Sequence, residues 1–229
     1  MRITVVALGK IGLPLAVQFA TKGHDVVGYD INPEVVRLVN AGQIPFPGET
    51  DLDTRLSEVT GSGSLTATTD CDEAVSQADA VVVVVPLVVG SDGLPDFNSI
   101  DTATRQIARS LRGGTLVTFE TTLPVGTTRT RFAPLLAQIS GLTVGRDLFV
   151  AFSPERVFTG RVFQDLRRYP KLIGGVEAES AKRARELYEV TLDFDERGDL
   201  PVPNGVWDLG SADAAEMATL AETTYRDVN

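Results

Sequence analysis

The aliphatic residues of this chain occur in continuous runs of strand length rather than in alternation with polar residues. A strand with one face in water alternates apolar and polar side chains, whereas a strand covered by helices on both faces is apolar throughout. Segments with helical spacing separate the runs. The pattern therefore predicts an α/β fold, with a doubly wound, Rossmann-like parallel sheet that carries helices on both faces. The predicted strands are residues 3–8, 26–29, 80–85, 116–119, 148–152 and 171–173, and the predicted helices include 99–111, 127–139 and 178–190.

The last part of the chain differs in composition. Residues 193–210 are rich in glycine and proline, so we predict an irregular connection there. Ser211 suits an N-cap, and the residues after it predict a final helix. We therefore divide the chain into a domain at residues 1–210 and the start of a long connecting helix at 211–229. This helix has no stop signal, which predicts a longer polypeptide or a docking partner. Its weakly apolar stripe consists of Ala214, Met217, Leu220, Ala221, Thr224 and Val228.

Charge and cysteine content exclude several classes of partner and site. The 31 acidic and 21 basic residues give a net charge of −10, so the mean field of the protein repels nucleic acid and anionic membranes. Cys71 is the only cysteine, which excludes an internal disulfide and a cysteine-based metal cluster, and we predict no metal site. The longest apolar run is about half of the ~20 residues that span a bilayer. These features predict a cytoplasmic protein that binds neither nucleic acid nor membranes.

A glycine turn follows the first predicted strand. Gly9 and Gly12 open the next helix, with Lys10 and Ile11 between them, and Asp30 ends the second predicted strand. In dinucleotide-binding βαβ units such glycines let the backbone approach a pyrophosphate, and an acid about 20 residues further on binds the ribose hydroxyls. Because a carboxylate at this position would repel the 2′-phosphate of NADP, the unit predicts NAD as the cofactor.

Two structural interpretations of this turn stay open. Ala7 stands where the first glycine of the pattern is expected, although the turn at that point is tight. The segment could therefore connect strand and helix without binding a ligand. Asp30 could cap the helix that follows Asn32, an arrangement that is compatible with ribose binding.

Six short blocks rich in glycine, proline and polar residues stand out along the chain. In order they read ALGKIGLP, PFPGE, ETTLPVGTT, SPERVFTG, PKLIGG and AEMATLAETTYRDVN. Together they resemble the N-terminal half of the UDP-glucose/GDP-mannose dehydrogenase family, and the resemblance covers the whole chain. The spelling PERVFTG is most similar to the branch that acts on UDP-N-acetylmannosamine.

The resemblance implies an enzyme of polysaccharide biosynthesis that oxidises the C6 alcohol of a nucleotide sugar to the carboxylic acid, with two NAD per turnover and a cysteine thiohemiacetal. It implies that Thr122 and Glu155 position or activate water. It also implies that Pro86 and Thr122 contact NAD, and that Glu155 and Arg156 contact the substrate. A hydroxyl can hold water without adding charge, and a carboxylate can relay a proton. The resemblance further implies a C-terminal domain and a homodimer in the complete form.

Several positions depart from the family pattern. Thr219 and Thr223 stand where the family carries a lysine and an asparagine that stabilise the developing alkoxide, and Leu87 and Val88 replace a threonine and a proline near the cofactor. These departures leave open a non-catalytic or degenerate NAD-binding homologue. A β-hydroxyacid dehydrogenase is a further alternative, which the blocks SPERVFTG and PKLIGG oppose.

The predicted catalytic residues also have structural interpretations. Glu155 could be a surface carboxylate paired with Arg156, and Thr122 could cap a helix. Cys71 lies between two aspartates that disfavour a thiolate, so we interpret it as structural. Without a catalytic cysteine, a cation at position 219 and a second domain, we predict that this chain alone does not oxidise UDP-sugars.

Overall fold

The computed structural model describes residues 1–228, which contain ten strands and nine α-helices. The strands are β1 (Arg2–Val6), β2 (Asp25–Tyr29), β3 (Leu65–Thr68), β4 (Ala80–Val83), β5 (Val88–Val89), β6 (Pro95–Asp96), β7 (Thr115–Phe119), β8 (Leu148–Phe152), β9 (Lys171–Gly175) and β10 (Val206–Asp208). The helices are α1 (Gly12–Thr21), α2 (Pro33–Asn40), α3 (Leu52–Gly61), α4 (Cys71–Val75), α5 (Asn98–Ser110), α6 (Ala133–Ser140), α7 (Val162–Arg168), α8 (Ala178–Thr191) and α9 (Ala212–Val228). A π-helical segment, Thr128–Phe132, leads into α6.

Six adjacent strands of the main sheet are parallel, in the order β3-β2-β1-β4-β7-β8. This is the strand order of a doubly wound dinucleotide-binding fold, so the predicted fold class is confirmed. β9 then pairs with β8 in the antiparallel direction, with Phe152 opposite Gly174, and β10 runs parallel to β9. The apolar pattern did not predict this reversal, because continuous apolar residues report burial of a strand and not its direction. β5 and β6 form a separate hairpin.

Side chains of the central strands alternate between two hydrophobic cores, one on each face of the sheet. Ile3 and Val5 of β1 belong to the core that α1, α3, α7 and α8 cover, whereas Val6 belongs to the core beneath α4, α5 and α6. All three are at most 1% exposed. Burial on both faces explains the continuous apolar runs. The predicted helices at 99–111, 127–139 and 178–190 agree with α5, with the π-helical segment and α6, and with α8 to within one residue at each end.

The C-terminal part completes one edge of the sheet. The predicted irregular connection ends in β10, and the Ser211 hydroxyl caps α9 by accepting a hydrogen bond from the Ala214 N–H at 3.1 Å. The predicted apolar stripe of α9 is not its buried face: Met217 and Val228 are 55% and 75% exposed. Asn229 lies outside the described residues, and the division of the chain at residue 210 stays a prediction. The side chains that α9 buries are Ala212, Ala215, Glu216 and Thr219.

Gly174 explains how closely α9 sits on the sheet. A Cβ at this position would lie 1.9 Å from the carbonyl oxygen of Ser211, so only glycine lets the start of α9 approach β9. Within residues 1–228, none of the helices combines the length and the apolar character needed to cross a bilayer.

Candidate functional site

The topology brings the predicted site residues to one edge of the sheet. Because β1, β2, β4, β7 and β8 are parallel, the loops that follow them share the carboxyl edge, where ligands bind in open α/β sheets. β9 is antiparallel to β8, so its first residue lies at the same edge. The predicted site residues that follow the five parallel strands are, in that order, Gly9, Asp30, Pro86, Thr122 and Glu155.

The turn between β1 and α1 is as tight as the sequence indicates. Ala7 has a φ of 75°, in the left-handed region that favours glycine, and its N–H donates to the Tyr29 carbonyl oxygen at 2.8 Å. A Cβ at Gly12 would lie 1.9 Å from the carbonyl oxygen of Ala7. Ile11 precedes α1 without a side-chain cap, and Lys10 is exposed. The N-terminus of α1 can therefore receive an anion.

The Asp30 carboxylate is fixed by the backbone on both sides. Its Oδ2 accepts a hydrogen bond from the Leu8 N–H at 2.8 Å, and its Oδ1 accepts one from the Asn32 N–H at 2.9 Å. The residue that caps α2 is Asn32, which accepts from the Glu34 N–H at 3.0 Å. Each Asp30 oxygen retains acceptor capacity, so this oriented carboxylate can also accept hydrogen bonds from ribose hydroxyls.

A cleft of about 550 Å³ opens beside the turn. Its volume is in the range of cofactor sites, about 300 to 1,000 Å³. Tyr29 and Gln106 line this cleft, and the Tyr29 phenol donates a hydrogen bond to the Gln106 Oε1 at 3.0 Å. Gly9, Asp30 and Pro86 line the same cleft, so three of the predicted cofactor residues share one cavity.

The loop that carries Thr122 is anchored by α9. Thr122 is exposed, whereas the buried Glu216 carboxylate accepts hydrogen bonds from the Gly126 N–H, and from the Thr128 N–H and hydroxyl at 2.8 and 2.7 Å. Glu216 therefore satisfies the amides at the start of the π-helical segment, a role that the sequence left open for Thr122. Burial raises the pKa of Glu216, although these hydrogen bonds oppose the rise.

Glu155 lies in a buried cluster of charges. Its Oε2 accepts a hydrogen bond from the Lys171 Nζ at 2.9 Å, and the same Nζ donates to the Glu120 Oε2 at 2.7 Å. The Tyr188 hydroxyl donates to the other oxygen of Glu120 at 2.6 Å. Glu155 is thus neither a surface carboxylate nor an ion-pair partner of Arg156.

Burial perturbs the titration of this cluster. Burial raises the pKa of Glu120 to about 7. The positive charge of Lys171 opposes this rise, and the negative charge of Glu155 adds to it. Burial alone would lower the pKa of Lys171, but the two carboxylates outweigh it and raise that pKa. Burial, followed by the charge of Glu120, raises the pKa of Tyr188 well above its usual range. Such perturbation of groups at one sheet edge is typical of functional sites.

Arg156 connects the loop after β8 to α9. Its guanidinium donates to the Glu222 Oε2 at 2.8 Å and to the carbonyl oxygen of Pro170. Further along the same loop, the buried carboxylate of Glu49 accepts from the Gly160 N–H at 2.6 Å and from the Val162 N–H at 2.7 Å. The block PFPGE therefore anchors the C-terminal end of the block SPERVFTG.

The partners of Glu155 were not among the residues predicted from the sequence. Glu120 directly follows an apolar strand and Lys171 begins another, and buried charges need partners. Charged residues at the ends of buried strands were therefore the available signal. Their pairing depends on the reversed direction of β9, which no local pattern reports. Burial, together with the charges of Asp70 and Asp72, raises the pKa of Cys71 to about 11, in agreement with a structural role.

The departures from the family pattern have definite places in the fold. Thr219 is 2% exposed, and its hydroxyl has no hydrogen-bond partner among the described residues. The Thr223 hydroxyl donates to the Thr219 carbonyl oxygen at 2.8 Å. Leu87 precedes β5, and Val88 begins that strand and is 60% exposed.

Comparison with known proteins decides the family. The model for the NAD binding domain of the UDP-glucose/GDP-mannose dehydrogenase family matches residues 1–192. The chain belongs to this family. It is 39% identical over 229 residues to UDP-N-acetyl-D-mannosamine dehydrogenase from Pyrococcus horikoshii, with 100% of this chain and 51% of that protein covered. It is 37% identical over 234 residues to the Escherichia coli K12 enzyme of the same name, with 99% and 52% covered.

A solved structure gives the same result. The UDP-D-ManNAc dehydrogenase from Pyrococcus horikoshii superposes on this chain with a TM-score of 0.90 at 37% identity, covering 100% of this chain and 51% of that one. The resemblance to the N-terminal half of this family and the NAD cofactor are therefore confirmed. The chain spans about half the length of the curated relatives that it matches.

Proposed function

We propose that this chain is the NAD-binding part of a nucleotide-sugar 6-dehydrogenase that oxidises a UDP-sugar, such as UDP-N-acetylmannosamine, to the uronic acid with two NAD per turnover. The observation that carries the proposal is the shared sheet edge. The cleft beside Asp30 and the loop with Glu155 follow parallel strands, and Lys171, which pairs with Glu155, begins the antiparallel strand β9 at the same edge. The two relatives are UDP-N-acetyl-D-mannosamine dehydrogenases, which supports the choice of sugar.

In this proposal the cleft holds NAD, which accepts hydride when bound. The amides at the start of α1 bind the pyrophosphate, because the helix N-terminus favours an anion. The carboxylate after β2 binds the ribose hydroxyls, and the loops after β4 and β7 contact the nicotinamide side. The residues proposed to contact NAD are Gly9, Lys10, Ile11, Gly12, Asp30, Pro86 and Thr122.

The residues after β7 and β8 act on the sugar. The exposed hydroxyl of Thr122 can hold a water molecule, and Glu155 can accept its proton. Arg156 lies next to Glu155 and lines the same small crevice, so it is proposed to contact the substrate. Their fixed loops suit the task, because proximity and orientation contribute about 7 to 11 kcal/mol to barrier lowering in well-organised sites.

The second half of the protein is proposed to supply the cysteine and to cover the substrate. The exposed face of α9, with Met217 and Val228, would then pack against that half or against a second copy in a homodimer. Light scattering over a concentration series is expected to show self-association of this chain. A strictly monomeric solution would exclude the second copy.

Calorimetry with NAD and NADP tests the cofactor site. We expect NAD to bind more tightly than NADP. Asp30→Asn should reduce the ratio of the NAD affinity to the NADP affinity by about tenfold, because a charged hydrogen bond contributes about 1.5 to 3 kcal/mol. Asp25→Asn is the matched control, since Asp25 begins the strand that Asp30 follows and is exposed. Equal affinities in the unmodified chain would contradict the role of Asp30, and no binding of either would contradict the cofactor site.

Turnover is tested by NADH absorbance with UDP-N-acetylmannosamine, UDP-N-acetylglucosamine, UDP-glucose and GDP-mannose. We expect no oxidation by this chain alone, because Thr219 offers no positive charge and the open site does not exclude water. Oxidation of any of these sugars by the purified chain would show that the nucleophile is misassigned. A longer form that contains the second half and still binds NAD without oxidising sugars would identify a non-catalytic homologue.

A further inference from the structure

A lysine held between two carboxylates lies at the site and is not used by the proposed chemistry. The Lys171 Nζ is 2.7 Å from the Glu120 Oε2 and 2.9 Å from the Glu155 Oε2. The side chains of Lys171, Glu120 and Glu155 are 4%, 0% and 9% exposed. Breaking a buried ion pair leaves an uncompensated charge, which is strongly destabilising. The positions of these three charges therefore depend on one another.

The fold holds Lys171 and Glu120 more firmly than Glu155. Lys171 is the first residue of β9, so its backbone is held by the sheet. The Tyr188 hydroxyl binds the second oxygen of Glu120 at 2.6 Å, and its ring centroid lies 4.8 Å from the Lys171 Nζ. Glu155, in contrast, follows the end of its strand in a loop, where its carboxylate accepts hydrogen bonds from the Lys171 side chain and from the N–H of Arg156.

We propose that Lys171 is a positioning residue of the site, which holds the Glu155 carboxylate in place and couples it to the charge on Glu120. The inference rests on the proposed function, in which Glu155 receives a proton at the reacting centre. Glu120 has no access to the substrate because its side chain is fully buried. It acts on Glu155 through the shared ammonium group of Lys171.

The charge on Glu120 changes in the physiological range. Three titratable groups face it: Lys171 from β9, Glu155 from the loop after β8 and Tyr188 from α8. Burial raises the pKa of Glu120 to about 7. When Glu120 is protonated, the ammonium group acts on Glu155 alone. When Glu120 is ionised, two carboxylates share the same positive charge and the attraction on each is weaker.

NMR of the glutamate carboxyl carbons in the isotopically labelled chain tests this coupling. The Glu155→Gln variant assigns the Glu155 signal by its loss. In the unmodified chain we expect that signal to show a step near pH 7, where Glu120 titrates. Glu120→Gln should abolish the step. Lys171→Met should move its midpoint up by about one pH unit or more, because the ammonium group favours the ionised form of Glu120. Lys171→Arg retains the charge and should keep the midpoint.

Glu222→Gln is the matched control. Glu222 is a partly buried carboxylate that pairs with Arg156 beside the site, whereas the ion pairs of Lys171 are with Glu120 and Glu155, so the step should persist in this variant. If Lys171→Met does not fold, Glu155→Gln decides. Loss of the Glu155 charge should move the midpoint of the Glu120 signal down, because that charge raises the pKa of Glu120.

Three results would overturn the inference: no step in the unmodified chain, the same midpoint in Lys171→Met, or an unmoved Glu120 midpoint in Glu155→Gln. Calorimetry with NAD on the same samples separates this inference from the proposed function. If NAD fails to bind to the unmodified chain while the step is present, the proposed function fails and the coupling stands. If NAD binds and the step is absent, the coupling fails and the cofactor site stands.

Discussion

Replacement of Ala7 by glycine is expected to stabilise the protein. Ala7 has a φ of 75°, and this conformation costs an L-residue roughly 1 to 2 kcal/mol. Glycine removes that strain. It also increases the conformational entropy of the unfolded chain, which lowers the free energy of unfolding by about 0.4 to 1 kcal/mol. The half-buried methyl group contributes about half of the ~0.8 kcal/mol of a buried methylene. The net gain is therefore about 0.5 kcal/mol, since the N–H of residue 7 keeps its bond to Tyr29.

The assay is urea unfolding followed by circular dichroism, with the midpoint compared at a constant slope. A gain of this size corresponds to an increase in melting temperature of about 1 to 2 °C for a domain of this length. Ala41→Gly is the control, because Ala41 is exposed and has a φ of −84°, so glycine should only destabilise there. If Ala7→Gly lowered stability as much as Ala41→Gly, the turn would not be strained and the reasoning would be wrong.

Three further predictions concern the site and its supports. Gly12→Ala should destabilise the protein by about 2 kcal/mol or more and abolish NAD binding in calorimetry, because the Cβ would lie 1.9 Å from the Ala7 carbonyl oxygen. Glu216→Gln should cost about 2 kcal/mol in urea unfolding, because one oxygen that accepts a backbone N–H becomes an NH₂ group. Folding stability should fall by about 3 kcal/mol as the pH rises from about 4.5 to about 7, because the folded state binds the Glu120 proton more tightly than the unfolded state. Glu120→Gln should remove that dependence, and an unchanged pH profile in this variant would contradict the assignment.

Features encoded by local sequence could be predicted. The apolar runs of β1, β4 and β8 report burial on both faces, and the turn at Gly9 and Gly12 places a dinucleotide cleft at their carboxyl ends. β3 was not predicted because it lies at the edge of the sheet, where its sequence LTAT alternates buried side chains with one exposed and one partly exposed threonine. β10 has only three residues and lies at the opposite edge.

The contacts that complete the candidate site could not be predicted because they join distant segments. Glu120 and Lys171 are separated by 51 positions in the chain, and Glu216 and Gly126 by 90. The first pairing depends on the direction of β9, and the second depends on where α9 packs on the sheet. Tertiary packing determines both. Hydrophobic periodicity reports neither the direction of a strand nor the position of a helix. A charged residue at the end of a buried strand therefore indicates that it needs a partner, but it does not indicate which residue the partner is.

The anchoring by Glu216 also determines when the site is completed during synthesis. Gly126 and Thr128 precede Glu216 by 90 and 88 residues, so we expect the nascent loop with Thr122 to stay hydrated until α9 has been synthesised. An expression fragment that ended at residue 192, where the match to the family's NAD-binding domain ends, would retain the cofactor turn but lack β10 and this acceptor. We therefore expect the smallest fragment that folds with an ordered site to extend beyond Glu216.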